Sequence, residues 1–172
     1  MRTRYIMKQL IFLSLIVLTF ASCKYSYKSE TINVNNQFTM SVPDYLKKCD
    51  DLKPGAEFQY KNRYRSTYAL VFSDKKDKSF PEYYTEQITA LKKAVDKPMV
   101  NDSVIINIPG ATGVHTELAG KMQGEMIYYS VLTLETKDKY YQSCIWTRGE
   151  DRKLKYGKEI ESMLLSFKLV NP

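Results

Sequence analysis

The stretch that decides the fold runs from residue 104 to residue 147 and reads VIINIPGATGVHTELAGKMQGEMIYYSVLTLETKDKYYQSCIWT. It holds four successive runs rich in β-branched and aromatic residues, separated by turn residues such as Pro109-Gly110. Strands that follow one another so closely in sequence usually pair as neighbours. We therefore predict a meander of four antiparallel strands at Val104–Ile108, Ala111–Ala119, Glu125–Glu135 and Tyr140–Thr147.

Two hairpins are predicted before this meander. Their strands are Thr31–Val34 with Phe38–Val42, and Ala56–Asn62 with Thr67–Ser73. The first hairpin turns at Asn35-Asn36-Gln37, whose asparagines tolerate the positive φ angles of a tight turn. The second turns at the basic connection Arg63-Tyr64-Arg65.

Two amphipathic helices complete the pattern. Ser79 and Glu82 have the spacing of a capping box, and apolar residues then recur at helical spacing until Pro98. A second helix is predicted from about Arg152 to Leu165. The residues predicted to face the sheet are Ile88, Leu91, Ile160 and Leu164. Because the helices are few and the strands consecutive, we predict an α+β sandwich, a mainly antiparallel sheet with one helix on each face.

The N-terminus has the layout of a bacterial secretory signal peptide. Three basic residues precede an apolar run that is too short to span a bilayer and ends in Phe20-Ala21-Ser22-Cys23. This ending resembles the lipobox of bacterial lipoproteins, in which the cysteine is acylated and becomes the first mature residue. The alternative is an ordinary cleaved signal peptide with a chance cysteine.

The lipobox interpretation divides the chain into three parts. Residues 1–22 are a signal peptide, residues 23–30 a lipidated tether, and residues 31–172 a single domain. Lys24 follows the cysteine in place of the Asp that is linked with inner-membrane retention in enteric bacteria. We therefore expect a lipid-anchored protein of the bacterial cell envelope, at the outer membrane and facing the periplasm.

The net charge limits the classes of binding partner, and the cysteine content raises the question of a disulfide. Without residues 1–22 the chain keeps 23 basic and 19 acidic side chains, a net charge of about +4. In an extracytoplasmic compartment, this mild excess of positive charge does not predict nucleic-acid binding.

Cys49 and Cys144 either form a disulfide in that oxidising compartment, or Cys144 is a buried thiol in its strand. Sequence spacing does not decide between these alternatives.

No motif in the sequence indicates catalysis or cofactor binding. His115 is the only histidine, and no G-x-S-x-G pattern accompanies it. One histidine and two distant cysteines do not form a recognisable tetrahedral metal site. Gly110-Ala111-Thr112-Gly113 lacks the Lys-Ser/Thr ending of a phosphate loop. We expect no catalytic residue, no metal and no cofactor, and a structural role for His115.

The first hairpin contains Phe38-Thr39-Met40-Ser41-Val42-Pro43, and Ser166-Phe167 follows the last helix. Together with these residues, the order of the elements resembles the PsbP-like fold group. That group contains the extrinsic photosystem subunit PsbP, the Ran-binding Mog proteins and bacterial lipoproteins of the DcrB type. The resemblance covers most of residues 31–170. It implies an α/β/α sandwich used mainly for docking onto other proteins, and it transfers no catalytic residue.

Three classes of function follow from these observations. The first is a lipid-anchored extracytoplasmic accessory or binding protein without catalytic activity, docked onto a protein partner in the envelope. Its candidate binding site is Arg63-Tyr64-Arg65, where aromatic and cationic groups alternate, although a plain solvated turn is the alternative. The second class is a small-molecule carrier with a pocket between sheet and helix. The third is a hydrolase whose site has no recognisable motif.

If Cys23 carries lipid, Cys23→Ser should move the protein from the membrane fraction to the soluble periplasmic fraction, because the acylated thiol is the anchor. Cell fractionation followed by immunoblotting measures this, with Cys49→Ser as the matched control that stays on the membrane. Wild-type protein found wholly in the soluble fraction would contradict the lipobox interpretation.

Overall fold

Two antiparallel sheets and two helices make up residues 27–170, the part of the chain that this computed structural model describes. The strands are β1 (Ser29–Val34), β2 (Phe38–Pro43), β3 (Lys47–Lys48), β4 (Phe58–Asn62), β5 (Thr67–Lys75), β6 (Asp96–Ile108), β7 (Ala111–Met122), β8 (Glu125–Glu135), β9 (Lys139–Arg148) and β10 (Lys168–Leu169). The helices are α1 (Phe80–Lys93) and α2 (Glu150–Leu165). No helix in this part of the chain is long and apolar enough to cross a membrane.

The larger sheet has seven strands in the order β3-β4-β5-β9-β8-β7-β6, and all neighbours are antiparallel. The predicted meander is confirmed, because β6, β7, β8 and β9 are adjacent both in sequence and in space. Gly113 in β7 permits this close packing, since a Cβ there would lie 1.9 Å from the backbone oxygen of Thr133. From β5 the chain crosses over through α1 to the far edge of the sheet, where β6 begins.

The smaller sheet joins the two ends of the domain in the order β1-β2-β10. Asn35 and Asn36 turn the first hairpin with φ angles of 51° and 55°, as predicted. On the other side of β2, Leu169 of β10 pairs with Phe38. The first hairpin therefore forms a separate sheet with the C-terminal strand, which the sequence analysis did not predict.

One helix lies on each face of the larger sheet, so the predicted α+β sandwich is confirmed. The α1 layer buries Ile88 against β-strand residues such as Leu118 and Cys144, with Leu91 half-buried beside it. The α2 layer also contains the smaller sheet, and its core holds Ile160 and Leu164 together with aromatic and aliphatic side chains of β2. The predicted capping box is present at the start of α1, where the Glu82 carboxylate accepts a hydrogen bond from Ser79 N at 2.9 Å. The same carboxylate also accepts a hydrogen bond from Ser79 Oγ at 2.7 Å.

Most boundaries differ from the predictions by no more than three residues; β1, for example, begins at Ser29 rather than at Thr31. β6 begins at Asp96 rather than at Val104. β6 is an edge strand whose first ten residues are exposed on both faces, and such a strand lacks the alternation of apolar and polar residues by which strands are recognised.

Both remaining cysteines are free thiols, which contradicts the disulfide alternative. Cys49 N donates to Gln59 O at 3.0 Å, Gln59 pairs with Leu70, and Leu70 pairs with Cys144. Three inter-strand spacings of about 4.8 Å thus put the cysteines about 14 Å apart, whereas a disulfide needs Cα atoms within about 7 Å. Burial raises the pKa of Cys144 to about 12, so this side chain is a core thiol.

Leu164→Ala should lower the free energy of unfolding by about 2 to 5 kcal/mol, because Leu164 is 0% exposed and its truncation leaves a cavity. Leu154→Ala is the matched control in the same helix. Leu154 is 85% exposed, so its truncation should change the stability by less than about 0.5 kcal/mol. Urea denaturation measures both values, and equal losses in the two variants would contradict the placement of α2 on the sheet.

Candidate functional site

The turn between β4 and β5 is held in place by Asn62. Its side-chain oxygen accepts a hydrogen bond from Arg65 N at 2.8 Å, and its side-chain nitrogen donates to Tyr45 O at 2.7 Å. Ser66 completes the turn with a φ angle of 48°. Asn62 therefore ties the turn to the core, and Arg63 and Tyr64 lie at its outer end. We call these two residues the tip pair.

The tip pair combines an exposed ring with a cation. Tyr64 is 91% exposed, and the Arg63 side chain is 77% exposed. Arg63 Nη2 lies 3.3 Å from Asp51 Oδ2, and the Lys61 ammonium pairs with the same carboxylate. The Lys61 hydrogen bond lowers the pKa of Asp51, which keeps it ionised at neutral pH. Because two cations share one carboxylate, the turn keeps an excess of positive charge beside the Tyr64 ring.

Arg65 does not share the exposure of the tip pair, which differs from the expectation for Arg63-Tyr64-Arg65. Its guanidinium carbon lies 4.1 Å from the ring centroid of Tyr45 and 4.4 Å from that of Tyr27, with Tyr156 at 5.5 Å. The hydrogen bond between Asn62 and Arg65 N closes the turn, and the side chain lies back over these rings. Arg65 thus contributes cation–π contacts to the fold rather than a free charge to the surface.

Tyr27, Tyr45, Tyr156 and Arg65 form what we call the tyrosine cluster. The Tyr45 hydroxyl donates to Glu159 Oε2 at 3.1 Å. Burial, reinforced by the nearby Glu159 charge, raises the pKa of Tyr45, and burial also raises the pKa of Glu159. This cluster was not predicted, because its members lie before β1, after β2, in the second hairpin and in α2, so no local pattern connects them.

An open groove lies between β2 and α2. It consists of two adjoining hollows of about 720 Å³ and 740 Å³, both bordered by Ser41, Lys158, Ser162 and Ser166. The Ser166 hydroxyl accepts a hydrogen bond from Ser41 N at 2.8 Å and so joins the two walls. Small-molecule pockets are usually enclosed, whereas this groove is open. Its lining combines serine hydroxyls and apolar side chains with charges of both signs, such as Lys158 and Glu161.

His115 lies on β7 beside Ser130 of the neighbouring strand β8. Its Nε2 lies 2.8 Å from Ser130 Oγ, a distance also found in pairs of nucleophile and base. Ser130 is only 5% exposed, and Glu117, on the same face of β7, pairs with Lys153 at 3.7 Å. Within residues 27–170, no carboxylate is hydrogen-bonded to the His115 ring, and no three potential metal ligands come together.

This arrangement of sheets and helices is the fold of PsbP- and Mog1-type proteins, which confirms the predicted fold. The solution structure of cyanobacterial PsbP (CyanoP) from Synechocystis sp. PCC 6803 matches with a TM-score of 0.58 and 13% identity, covering 88% of this chain and 99% of CyanoP. The Ran-binding protein Mog1p of Saccharomyces cerevisiae matches with a TM-score of 0.56 and 11% identity, covering 84% of this chain and 97% of Mog1p.

LpqN, which is involved in cell envelope biogenesis of Mycobacterium tuberculosis, has a TM-score of 0.55 and 8% identity, with 82% of this chain and 90% of LpqN covered. No protein-family profile and no curated protein matches the sequence. At identities this low the similarity establishes the fold alone.

Arg65→Ala should lower the free energy of unfolding by about 1 to 3 kcal/mol, because it removes a cation that contacts three tyrosine rings. Arg63→Ala, two residues away, should change it by less than about 0.5 kcal/mol, since that side chain is mostly in solvent. Thermal and urea unfolding measure both variants. A loss for Arg63→Ala as large as that for Arg65→Ala would contradict the inward placement of Arg65.

Proposed function

We propose that this chain is a lipid-anchored extracytoplasmic accessory protein without catalytic activity, and that the tip pair docks onto a protein partner in the cell envelope. The exposure of Tyr64 beside the partly neutralised Arg63 carries this proposal. Tyrosine and arginine are enriched among the residues that dominate binding energy at protein interfaces. The fixed turn favours docking further, because little conformational entropy is lost on binding.

The proposed lipid anchor would place the docking partner near the membrane. In this proposal residues 1–22 are the signal peptide, Cys23 carries the lipid, and Lys24 favours the outer membrane, facing the periplasm. Tyr27 follows Cys23 by four residues and contacts Arg65 in the β4–β5 turn. Four extended residues reach at most about 14 Å, so a lipid on Cys23 would hold the tip pair close to the membrane surface. The expected partner is therefore a membrane-embedded or membrane-bound protein with an acidic surface.

The structural neighbours support an accessory role. Mog1p is named for binding Ran, and LpqN for its part in envelope biogenesis. These are properties of those proteins. For this chain they favour protein docking and an envelope location over catalysis.

A small-molecule carrier is the second candidate function, and the groove between β2 and α2 favours it. Lys158 and the serines around it would then select a polar or anionic ligand. A hydrolase, the third class, would have to use the His115–Ser130 pair or another group, and the burial of Ser130 argues against that pair.

Site-specific photo-crosslinking from position 64 tests the docking proposal. A photoreactive phenylalanine in place of Tyr64, in the full chain in intact cells, should link to one discrete envelope protein. In co-purification of that partner without crosslinking, Arg63→Ser/Tyr64→Ser should lower recovery of the complex about tenfold or more. The melting temperature should stay unchanged, because both side chains lie outside the core.

Lys93→Ser/Leu154→Ser is the matched control, since it removes one exposed cation and one exposed apolar side chain elsewhere. This variant should retain the complex. Full retention of the complex by Arg63→Ser/Tyr64→Ser would contradict docking through the tip pair. Crosslinks to lipid alone would contradict a protein partner and would indicate that the tip pair binds membrane headgroups.

A further inference from the structure

The free edge of β6 differs from the rest of the surface. β6 is the outer strand of the seven-stranded sheet and pairs only with β7, whereas the strand at the opposite edge, β3, has two residues. Seven large hydrophobic side chains are exposed within residues 27–170, and four of them lie on β6: Met99, Val100, Val104 and Ile105. Ile105 is 72% exposed. Apolar residues thus concentrate on the one long strand edge of the sheet.

The two halves of β6 are protected differently against pairing with another strand. Natural edge strands avoid such pairing with prolines, bulges and charges. The N-terminal half has all three: Pro98, Asp102, and register shifts between Asp96 and Met99 and between Val100 and Asp102. Ser103–Ile108 pairs regularly with β7 and contains no proline, bulge or charge. Its alternate backbone N–H and C=O groups point away from β7 and are available to another strand.

The side chains of this segment divide cleanly between the two faces of the sheet. The Tyr84 hydroxyl of α1 lies 3.4 Å from Ser103 Oγ, which puts Ser103 on the α1 face. Ile106 and Ile108 pack against the core of the α2 layer. By alternation, Ile105 and Asn107 lie on the α1 face and Val104 lies on the α2 face.

We propose that Ser103–Ile108 pairs with the same segment of a second copy of this chain, antiparallel about a two-fold axis at Ile105. The two seven-stranded sheets then form one continuous sheet of fourteen strands. A two-fold axis perpendicular to the sheet leaves the α1 layers of both copies on one side and the α2 layers on the other. Each residue must therefore lie opposite a residue from the same face of the second copy.

This register is self-complementary. Ile105 opposes Ile105 of the second copy, Val104 opposes Ile106, and Ser103 opposes Asn107. Apolar side chains thus meet apolar ones on both faces, and the polar pair stays together. A register centred on Val104 would place Asp102 against Ile106, and one centred on Ile106 would place Ile105 against Asn107.

Charge and buried area determine how strongly the two copies would bind. The chain without residues 1–22 has a net positive charge, which opposes self-association, but Ser103–Ile108 is neutral and brings no like charges together. Six paired residues bury less than the roughly 1,200 Å² of a standard stable interface, so the dimer is weak and concentration-dependent. The tip pair lies between β4 and β5, towards the opposite edge of the sheet, so pairing through β6 leaves it free.

Cysteine crosslinking of the full chain in the cell envelope tests both the contact and its register. In a Cys49→Ser background, Ile105→Cys should give a disulfide-linked dimer on a non-reducing gel, because the two Cα atoms lie about 4.5 to 5.5 Å apart. Ser103→Cys should not, because the two positions are about 14 Å apart. Ser103→Cys/Asn107→Cys should restore the dimer. The background itself, with Cys23 intact, should give no dimer band.

A second variant tests association without a crosslink. Ile105→Lys places like charges directly opposite each other at the axis and should weaken the dimer about tenfold in sedimentation measurements, whereas Leu154→Lys should leave it unchanged. Equal crosslinking through Ser103→Cys and Ile105→Cys, or none through Ile105→Cys, would overturn the proposal. A disulfide from Ile105→Cys to a different protein would also overturn it. None of these results depends on the tip pair, whose own crosslinks are tested separately at position 64.

Discussion

The burial of Phe38 against Phe167 is the interaction on which the rest of the structure depends. The two rings stack with centroids 4.9 Å apart, and Tyr141 of β9 meets Phe38 edge-on at 5.7 Å. Phe38 and Phe167 are 0% and 1% exposed. Because Phe38 begins β2 and Phe167 follows α2, these contacts hold the first hairpin, the last helix and the larger sheet together. Aromatic rings of this size supply much of the apolar area that a domain of this length can bury.

That core also determines where the candidate docking surface lies. Once α2 is held against β2, Tyr156 and Glu159 reach the tyrosine cluster, where Tyr45 contacts both Glu159 and Arg65. Arg65 belongs to the turn that carries the tip pair, and its ring contacts join this turn to the cluster. The exposed Arg63 and Tyr64 are thus connected to the centre of the fold through a chain of packed rings and one hydrogen-bonded carboxylate. A turn supported in this way keeps its backbone fixed, which lowers the conformational entropy that docking would cost.

The two candidate interaction surfaces lie towards opposite edges of the larger sheet. The tip pair lies at the β4–β5 turn beside the short strand β3, and the unprotected segment of β6 forms the other edge. Pairing through β6 would present two tip pairs on one assembly. If both tip pairs reached partners in the same membrane, the second contact would form at a high effective concentration, and weak individual contacts would suffice. The groove between β2 and α2 includes no residue of either surface.

Elements whose signals are local could be predicted from the sequence. The β6–β9 meander, the Asn35-Asn36 turn, the Ser79 capping box and the buried faces of both helices follow from residue spacing within a few turns or strands, because side-chain periodicity reports which face is buried. The tertiary structure alone decided that the first hairpin forms its own sheet, that Arg65 lies inward among tyrosines, and that three strand spacings separate Cys49 from Cys144. These features depend on contacts between residues far apart in the chain, and pairing across such separations leaves no trace in local periodicity. The full length of β6 also became evident only in the structure, because an edge strand exposed on both faces has no buried face to mark its sequence.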